Sequence, residues 1–114
     1  MKLWLALVLM FGGILAVAAD TQDPEINKVF DRNKGGLFAE YSRARRDNPQ
    51  LEGKIVFDFN IAKTGDVTAC YVRFSNLGDP DLERRLCDRM SNMKFPPRQS
   101  AITATKTVDF FFAR

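Results

Sequence analysis

The chain has 114 residues, of which 17 are basic and 14 are acidic, and its formal net charge is +3 at pH 7. This length is enough for one small domain with a single core and too short for two. The charge is nearly balanced and lacks the basic excess typical of nucleic-acid-binding domains, so we expect no nucleic-acid partner. The sequence has no His, which excludes imidazole catalysis and His-ligated metal sites.

The first 20 residues have the three-part pattern of a secretory signal peptide. One Lys precedes an apolar run from Leu3 to Ala19 that ends in small residues. We expect residues 1–19 to be a signal peptide, cleaved after Ala18 or Ala19, and the protein to be exported. The alternative is a single uncleaved membrane anchor, although the 17-residue run is short for crossing a bilayer.

Residues 24–47 place apolar side chains near helical spacing, which predicts helix. Gly35 and Gly36 interrupt this region, and each costs about 1 kcal/mol relative to Ala inside a helix. We therefore expect either two short helices or one kinked helix. Asn48 and Pro49 end the region, because the residue before a proline avoids helical backbone angles.

A β-hairpin is predicted next. Residues 54–61 alternate between apolar and polar side chains, as in a half-buried strand. Residues 67–74 form a second run, and the loop between the two contains Gly65, which can adopt the positive φ of a tight turn. The two strands should therefore be antiparallel neighbours.

A second helix has clear start signals, since Asp79 suits the N-cap and Pro80 suits the first helical position. Its apolar residues form one stripe, which consists of Leu82, Leu86, Met90 and Met93. After a polar loop, residues 102–112 are rich in Thr, Val and Phe and predict a third strand.

The order helix, strand, strand, helix, strand predicts an α+β fold with two helices packed on one three-stranded antiparallel sheet. Residues 20–36 would form an N-terminal segment and short helix, and residues 37–114 the main domain. The crossover through the second helix favours the spatial strand order 2-1-3. Strand three is then a long open edge that can accept a strand from a partner. The candidate partner-binding residues on it are Thr103, Thr105, Thr107 and Asp109.

A set of residues between 41 and 96 resembles the TonB C-terminal domain family of periplasmic energy transducers, and within it the AgmX/PglI-type domains. The matching positions are Tyr41, Asn48, Pro49, Gly53, Gly65-Asp66-Val67, Val72, Ser75, Cys87 and Lys94-Phe95-Pro96. The resemblance covers about residues 37 to 112. It implies a periplasmic domain that contacts envelope proteins, linked in relatives to energy transduction, transport or motility.

Two departures from the family pattern affect this interpretation. A Cys expected before Tyr41 is replaced by Glu40, and we hypothesise that Cys70 takes over as the disulfide partner of Cys87. Two buried free thiols are the alternative. Family transducers also carry a membrane anchor and a long spacer ahead of this domain. We expect neither here, which favours a soluble accessory protein over a complete transducer.

Catalysis is not expected, and neither is a cofactor or a small-molecule substrate. Cap and turn roles account for most of the acidic candidates, which are Asp58, Asp66, Asp79, Asp81 and Glu83. The favoured function is a binding module for an envelope protein, for example an outer-membrane or transport component, with a homodimer as a further option. The alternative is a structural or accessory envelope protein that self-assembles or docks on cell-wall polymer through basic helix flanks. The arginines in question are Arg43, Arg45, Arg46, Arg84, Arg85 and Arg89.

Overall fold

The computed structural model describes residues 19–112, so the predicted signal peptide lies outside the described residues except for Ala19. The fold is the predicted one, with two helices on a three-stranded antiparallel sheet. Its elements in chain order are α1 (Pro24–Asp47), β1 (Gly53–Ile61), β2 (Val67–Ser75), α2 (Pro80–Ser91) and β3 (Ile102–Phe110). Within residues 19–112, neither helix is both long and apolar enough to cross a membrane.

The first helix runs unbroken through Gly35 and Gly36. Ile26 and Phe30, before the glycines, and Leu37, after them, are all buried in the same core. Burial of such side chains contributes about 1.5–3 kcal/mol each, which outweighs the cost of two helical glycines. The predicted domain boundary between residues 36 and 37 therefore falls inside one helix, and residues on both sides of it pack into the same core.

The sheet has the order β2-β1-β3, as predicted, with β1 in the centre and antiparallel to both neighbours. The central strand has the predicted alternation, because every second side chain is fully buried against the helices. These side chains are Ile55, Phe57, Phe59 and Ile61. The pairing of β1 with β3 is regular from Ile61↔Ile102 to Gly53↔Phe110, whereas the pairing with β2 has two register shifts.

The second helix packs on the same face of the sheet. Asp79 is its N-cap, and its side chain accepts a hydrogen bond from the Leu82 backbone N–H at 3.0 Å. Leu82, Leu86 and Met90 are fully buried, which confirms the predicted stripe. Its fourth member, Met93, is also buried but lies just beyond the end of the helix.

The hairpin turn and the loop before β3 meet at Gly65. This residue has φ +93, and its carbonyl oxygen accepts a hydrogen bond from the Phe95 N–H at 2.9 Å. A Cβ atom at Gly65 would collide with the Phe95 carbonyl group. Glycine is therefore required here both for its backbone angle and for this close approach.

The last strand ends at Phe110, two residues earlier than predicted. Phe110 is buried, whereas the Phe111 side chain is 70% exposed. The Phe111 side chain follows the alternation of β3 to the exposed face and is not part of the core.

Candidate functional site

The β3 strand is an edge of the sheet and pairs with β1 alone. Its buried side chains, Ala104, Val108 and Phe110, face the helices. The residues that alternate with this inward-facing set therefore lie on the opposite face of the sheet. These are the four that the sequence predicts for partner binding, Thr103, Thr105, Thr107 and Asp109.

Two of these threonines are engaged with the neighbouring strand. Thr103 Oγ1 donates to Asn60 Oδ1 and Thr105 Oγ1 donates to Asp58 Oδ1, both at 2.7 Å. Asp58 also forms an ion pair with Arg73 of β2 at 2.6 Å. Burial raises the pKa of Asp58, but the hydrogen bonds from Arg73 and Thr105 outweigh it and hold the pKa below its ordinary value of 3.8. These side chains form a polar row across all three strands. Because the Thr103 and Thr105 side chains are already bonded within the sheet, a strand-like partner would have to pair with the β3 backbone.

The outer edge of β3 already contacts an extended piece of the same chain, residues 20–23, which we name the N-terminal segment. The Thr21 N–H donates to the Thr105 carbonyl oxygen at 2.8 Å. The Thr107 N–H donates to Asp20 Oδ2 at 3.0 Å, and Thr107 Oγ1 donates to Asp20 Oδ1 at 2.7 Å. The middle of the edge is therefore covered, between Thr103 on one side and Asp109 on the other.

Residues 20–23 belong to the predicted N-terminal region 20–36, for which no binding role is expected from the sequence. No periodic pattern marks this segment, because its contacts join residues that are distant in the chain, such as Asp20 and Thr107, which are 87 positions apart.

The other edge of the sheet is β2, and it carries exposed apolar side chains. Tyr71 is 60% exposed, Phe74 is 47% exposed and Val72 is 36% exposed. The Lys54 ammonium group lies 5.7 Å from the centre of the Phe74 ring. No further strand of residues 19–112 pairs with this edge. None of the predicted partner-binding residues lies on this edge.

Cys70 of β2 and Cys87 of α2 are joined by a disulfide, with their Cα atoms 5.7 Å apart. This separation is typical of disulfides and agrees with the hypothesised pair. The bond attaches the exposed edge strand to the second helix.

Glu40, which stands where the related pattern has a Cys, is buried between the helices and surrounded by arginines. Arg89 Nε donates to its Oε2 at 2.9 Å, Arg85 Nε to Oε1 at 3.2 Å and Arg43 to Oε1 at 3.0 Å. Burial raises the pKa of Glu40, but the Arg89 hydrogen bond and the charges of Arg43 and Arg89 outweigh it, and the pKa lies below its ordinary value of 4.5. Arg85 and Arg89 are thus tied to the other helix, not only solvated on the flank of α2.

Two aromatic residues of the family-like pattern have structural contacts. The Tyr41 hydroxyl donates to the Leu51 carbonyl oxygen at 2.6 Å in the core, and its ring stacks on Phe110 with centroids 4.8 Å apart. Phe95 stacks on Phe59 with a centroid distance of 6.0 Å. These residues hold the helix, the sheet and the loop before β3 together.

Two further residues of this pattern shape the ends of elements. The Asn48 N–H donates to the Ala44 carbonyl oxygen at 3.2 Å and caps α1. At Gly53 a Cβ atom would collide with Asn76 Oδ1, which accepts a hydrogen bond from the Lys54 N–H at 2.7 Å.

The described residues provide no grouping of three or more His, Cys, Asp or Glu side chains that could hold a metal ion. Several of the acidic candidates are engaged in local contacts. Asp66 pairs with Lys94, and this ion-pair hydrogen bond lowers the Asp66 pKa. Asp81 pairs with Arg84 at 2.8 Å. Such contacts are typical of structural ion pairs and helix starts.

No family model and no curated protein matches the sequence. A solved structure with a similar fold is the solution NMR structure of the TonB C-terminal domain of Pseudomonas aeruginosa. The two chains are 24% identical, with a TM-score of 0.52, over 65% of this chain and 78% of that one. At this identity the similarity shows a shared fold. It supports the predicted architecture of two helices on a three-stranded antiparallel sheet.

Proposed function

We propose that this chain is an exported protein-interaction module that binds an envelope protein by strand addition along β3. The observation that carries the proposal is the N-terminal segment, which hydrogen-bonds to the Thr105 carbonyl oxygen and the Thr107 N–H. An extended peptide therefore fits against this edge. Backbone pairing at a sheet edge is a general mode of peptide recognition.

The resemblance to TonB C-terminal domains supports a periplasmic location and an envelope partner, such as an outer-membrane or transport component. We assign residues 37–114 as the TonB C-terminal-like domain, of the AgmX/PglI type, and residues 1–19 as a signal peptide. In this proposal residues 20–36 extend the domain at its N-terminal side. The module has no catalytic role and needs no cofactor or small-molecule substrate.

A photo-crosslinking scan in living cells tests the proposal. The reactive residue is placed at Thr103 or Thr107 on β3, at Tyr71 on the opposite edge, and at Arg45 or Arg84 on the helices, and captured proteins are identified by mass spectrometry. We expect one envelope protein to be captured from the β3 positions and not from the others. Capture of that protein only from the helix positions would contradict strand addition.

Self-assembly is a second candidate, and one observation favours it. The β2 edge exposes Tyr71, Val72 and Phe74, and exposed apolar edge strands are prone to pair with other chains. Capture of a second copy of this chain from Tyr71 would support it. Docking on anionic cell-wall polymer is less favoured, because Arg43, Arg84, Arg85 and Arg89 are all engaged in ion pairs.

A further inference from the structure

We infer that the N-terminal segment is an intramolecular ligand of β3, which must leave the edge before a partner strand can pair with its centre. This inference rests on the proposed function of β3 and concerns the regulation of that same edge. The segment is residues 20–23, and the atoms that it covers are the Thr105 carbonyl oxygen and the Thr107 N–H.

The two contacts reproduce part of a strand pairing. Residues two apart on a strand present their backbone groups to the same edge, so Thr105 and Thr107 belong to one outward-facing row. The Thr21 N–H bonds to Thr105 as a paired strand would. The Asp20 carboxylate takes the place of a partner carbonyl group at Thr107. A partner strand that runs along β3 needs both positions, so the two occupants exclude each other.

The segment is fixed more firmly at one end than at the other. Asp23 accepts a hydrogen bond from the Glu25 N–H at 2.9 Å as the N-cap of α1, and pairs with Arg98 at 2.8 Å. Towards the chain start, the described contacts with β3 are those of Asp20 and Thr21, and the Thr21 carbonyl oxygen also accepts a hydrogen bond from Asn27 Nδ2 of α1 at 3.1 Å. The segment can therefore detach from β3, beginning at Asp20, while Asp23 and the Asn27 contact keep its other end on the helix start.

Substitutions at Thr21 separate the edge contact from other effects. Thr21→Pro removes the N–H that bonds to Thr105, whereas Thr21→Ala keeps it and serves as the matched control. Asp20→Ala is a second releasing variant, because it removes both acceptors of Thr107. The readout is capture of the envelope partner in cells by a full-length chain with the photo-crosslinker at Thr103. Mass spectrometry verifies that the mature N-terminus is the same in every variant.

If the segment covers the edge about nine-tenths of the time, its release raises the apparent partner affinity about tenfold. We expect that gain for Thr21→Pro and Asp20→Ala, and native capture for Thr21→Ala. Amide hydrogen exchange on the purified chains reports the release, since the Thr107 N–H should exchange faster only in the two releasing variants. An unchanged melting temperature shows that the domain remains folded.

Unchanged or weaker capture, with a faster-exchanging Thr107 N–H, would overturn the inference while leaving β3 as the binding edge. An equal Thr107 exchange rate in all chains would overturn it too, because the segment would not be holding that group. Absence of any partner captured from Thr103, even with the segment released, would instead overturn the proposed function and the inference with it.

Discussion

Arg89 of α2 donates a hydrogen bond from its Nε atom to Oε2 of Glu40 on α1 across 2.9 Å. Glu40 is 5% exposed and is the one buried charged residue in the described part of the chain. Arg43 and Arg85 complete its surroundings. A single carboxylate therefore contacts three guanidinium groups, of which Arg85 also pairs with Asp81, and it links the two helices.

Replacement of Glu40 by Gln should destabilise the fold. The amide keeps the shape of the side chain but removes the charge, so the arginines lose their common partner. We expect the free energy of unfolding to fall by about 2 kcal/mol, as for the loss of hydrogen bonds to a charged group, measured by urea denaturation at pH 7. Asp31→Asn is the matched control on the same helix, because its pair with Lys34 at 3.6 Å is exposed and should contribute less than about 0.5 kcal/mol. Equal effects of the two substitutions would contradict this role of Glu40.

The same residue should make the fold sensitive to acid. The pKa of Glu40 is lower in the folded protein than its ordinary value of 4.5, so the unfolded chain binds the proton more readily. The contribution of Glu40 is then fully present above pH 4.5 and is lost as the pH falls through the folded pKa. Urea denaturation from pH 6 down to about pH 3 should show a smaller loss of stability for Glu40→Gln than for the native chain. Parallel curves for the two chains would argue against this linkage.

The disulfide should contribute substantially to stability. It closes a loop between positions 17 residues apart, for which the chain-entropy model gives about 3 kcal/mol. We expect a loss of this size for the double substitution Cys70→Ala and Cys87→Ala, and a similar loss when the native chain is reduced. Mass spectrometry of periplasmic material under non-reducing conditions should find no free thiol. Detection of two free thiols would exclude the bond in the cell.

The Tyr41 hydroxyl should matter because its partner is buried. Tyr41→Phe leaves the Leu51 carbonyl oxygen without its 2.6 Å hydrogen bond, at a cost of about 1–2 kcal/mol. Tyr71→Phe provides the control, since Tyr71 is 60% exposed and its change should stay within about 0.5 kcal/mol. Thermal unfolding of both variants measures the difference, and a larger effect at Tyr71 would be inconsistent with the described packing.

Replacement by alanine should have opposite effects on the stability of the fold at two of the glycines. Gly65→Ala combines a φ of +93 with a backbone collision and should cost more than about 2 kcal/mol. Gly35→Ala meets no atom within 4 Å and should stabilise α1 by about 0.5–1 kcal/mol. Urea denaturation measures both changes in stability, which should shift the midpoint of unfolding and leave the dependence of the free energy on denaturant concentration unchanged. A destabilised Gly35→Ala variant would mean that this part of α1 is strained.

Local signals in the sequence were sufficient for most of the fold. The alternation in β1 and the Asp79-Pro80 helix start each depend on a few neighbouring residues, so the pattern fixes them without knowledge of the tertiary structure. The continuity of α1 was not predictable in this way, because it depends on a shared core that outweighs the helix propensity of Gly35 and Gly36.

The contacts at the candidate site were harder to predict. The Asp20 carboxylate meets Thr107, 87 residues away, and Glu40 meets Arg89, 49 residues away. Such pairs join single polar residues that belong to no periodic pattern, so nothing in the sequence indicates which residues will meet. The threonines of β3 were recognisable because they alternate, whereas the segment that covers them was not.

The position of the disulfide also bears on how the chain folds. In the pairing of β1 with β3, Ile61 lies opposite Ile102. All of residues 62–101 therefore connect the two strands, and the ends of this connection must come together when β3 pairs with β1. The bond between Cys70 and Cys87 lies within this connection and shortens its effective length. Because the entropic cost of closure grows with loop length and distant pairings slow folding, an oxidised chain should complete its sheet faster than a reduced one. The redox state of one cysteine pair would then determine how long the edge of β1 stays unpaired during folding, before β3 binds to it.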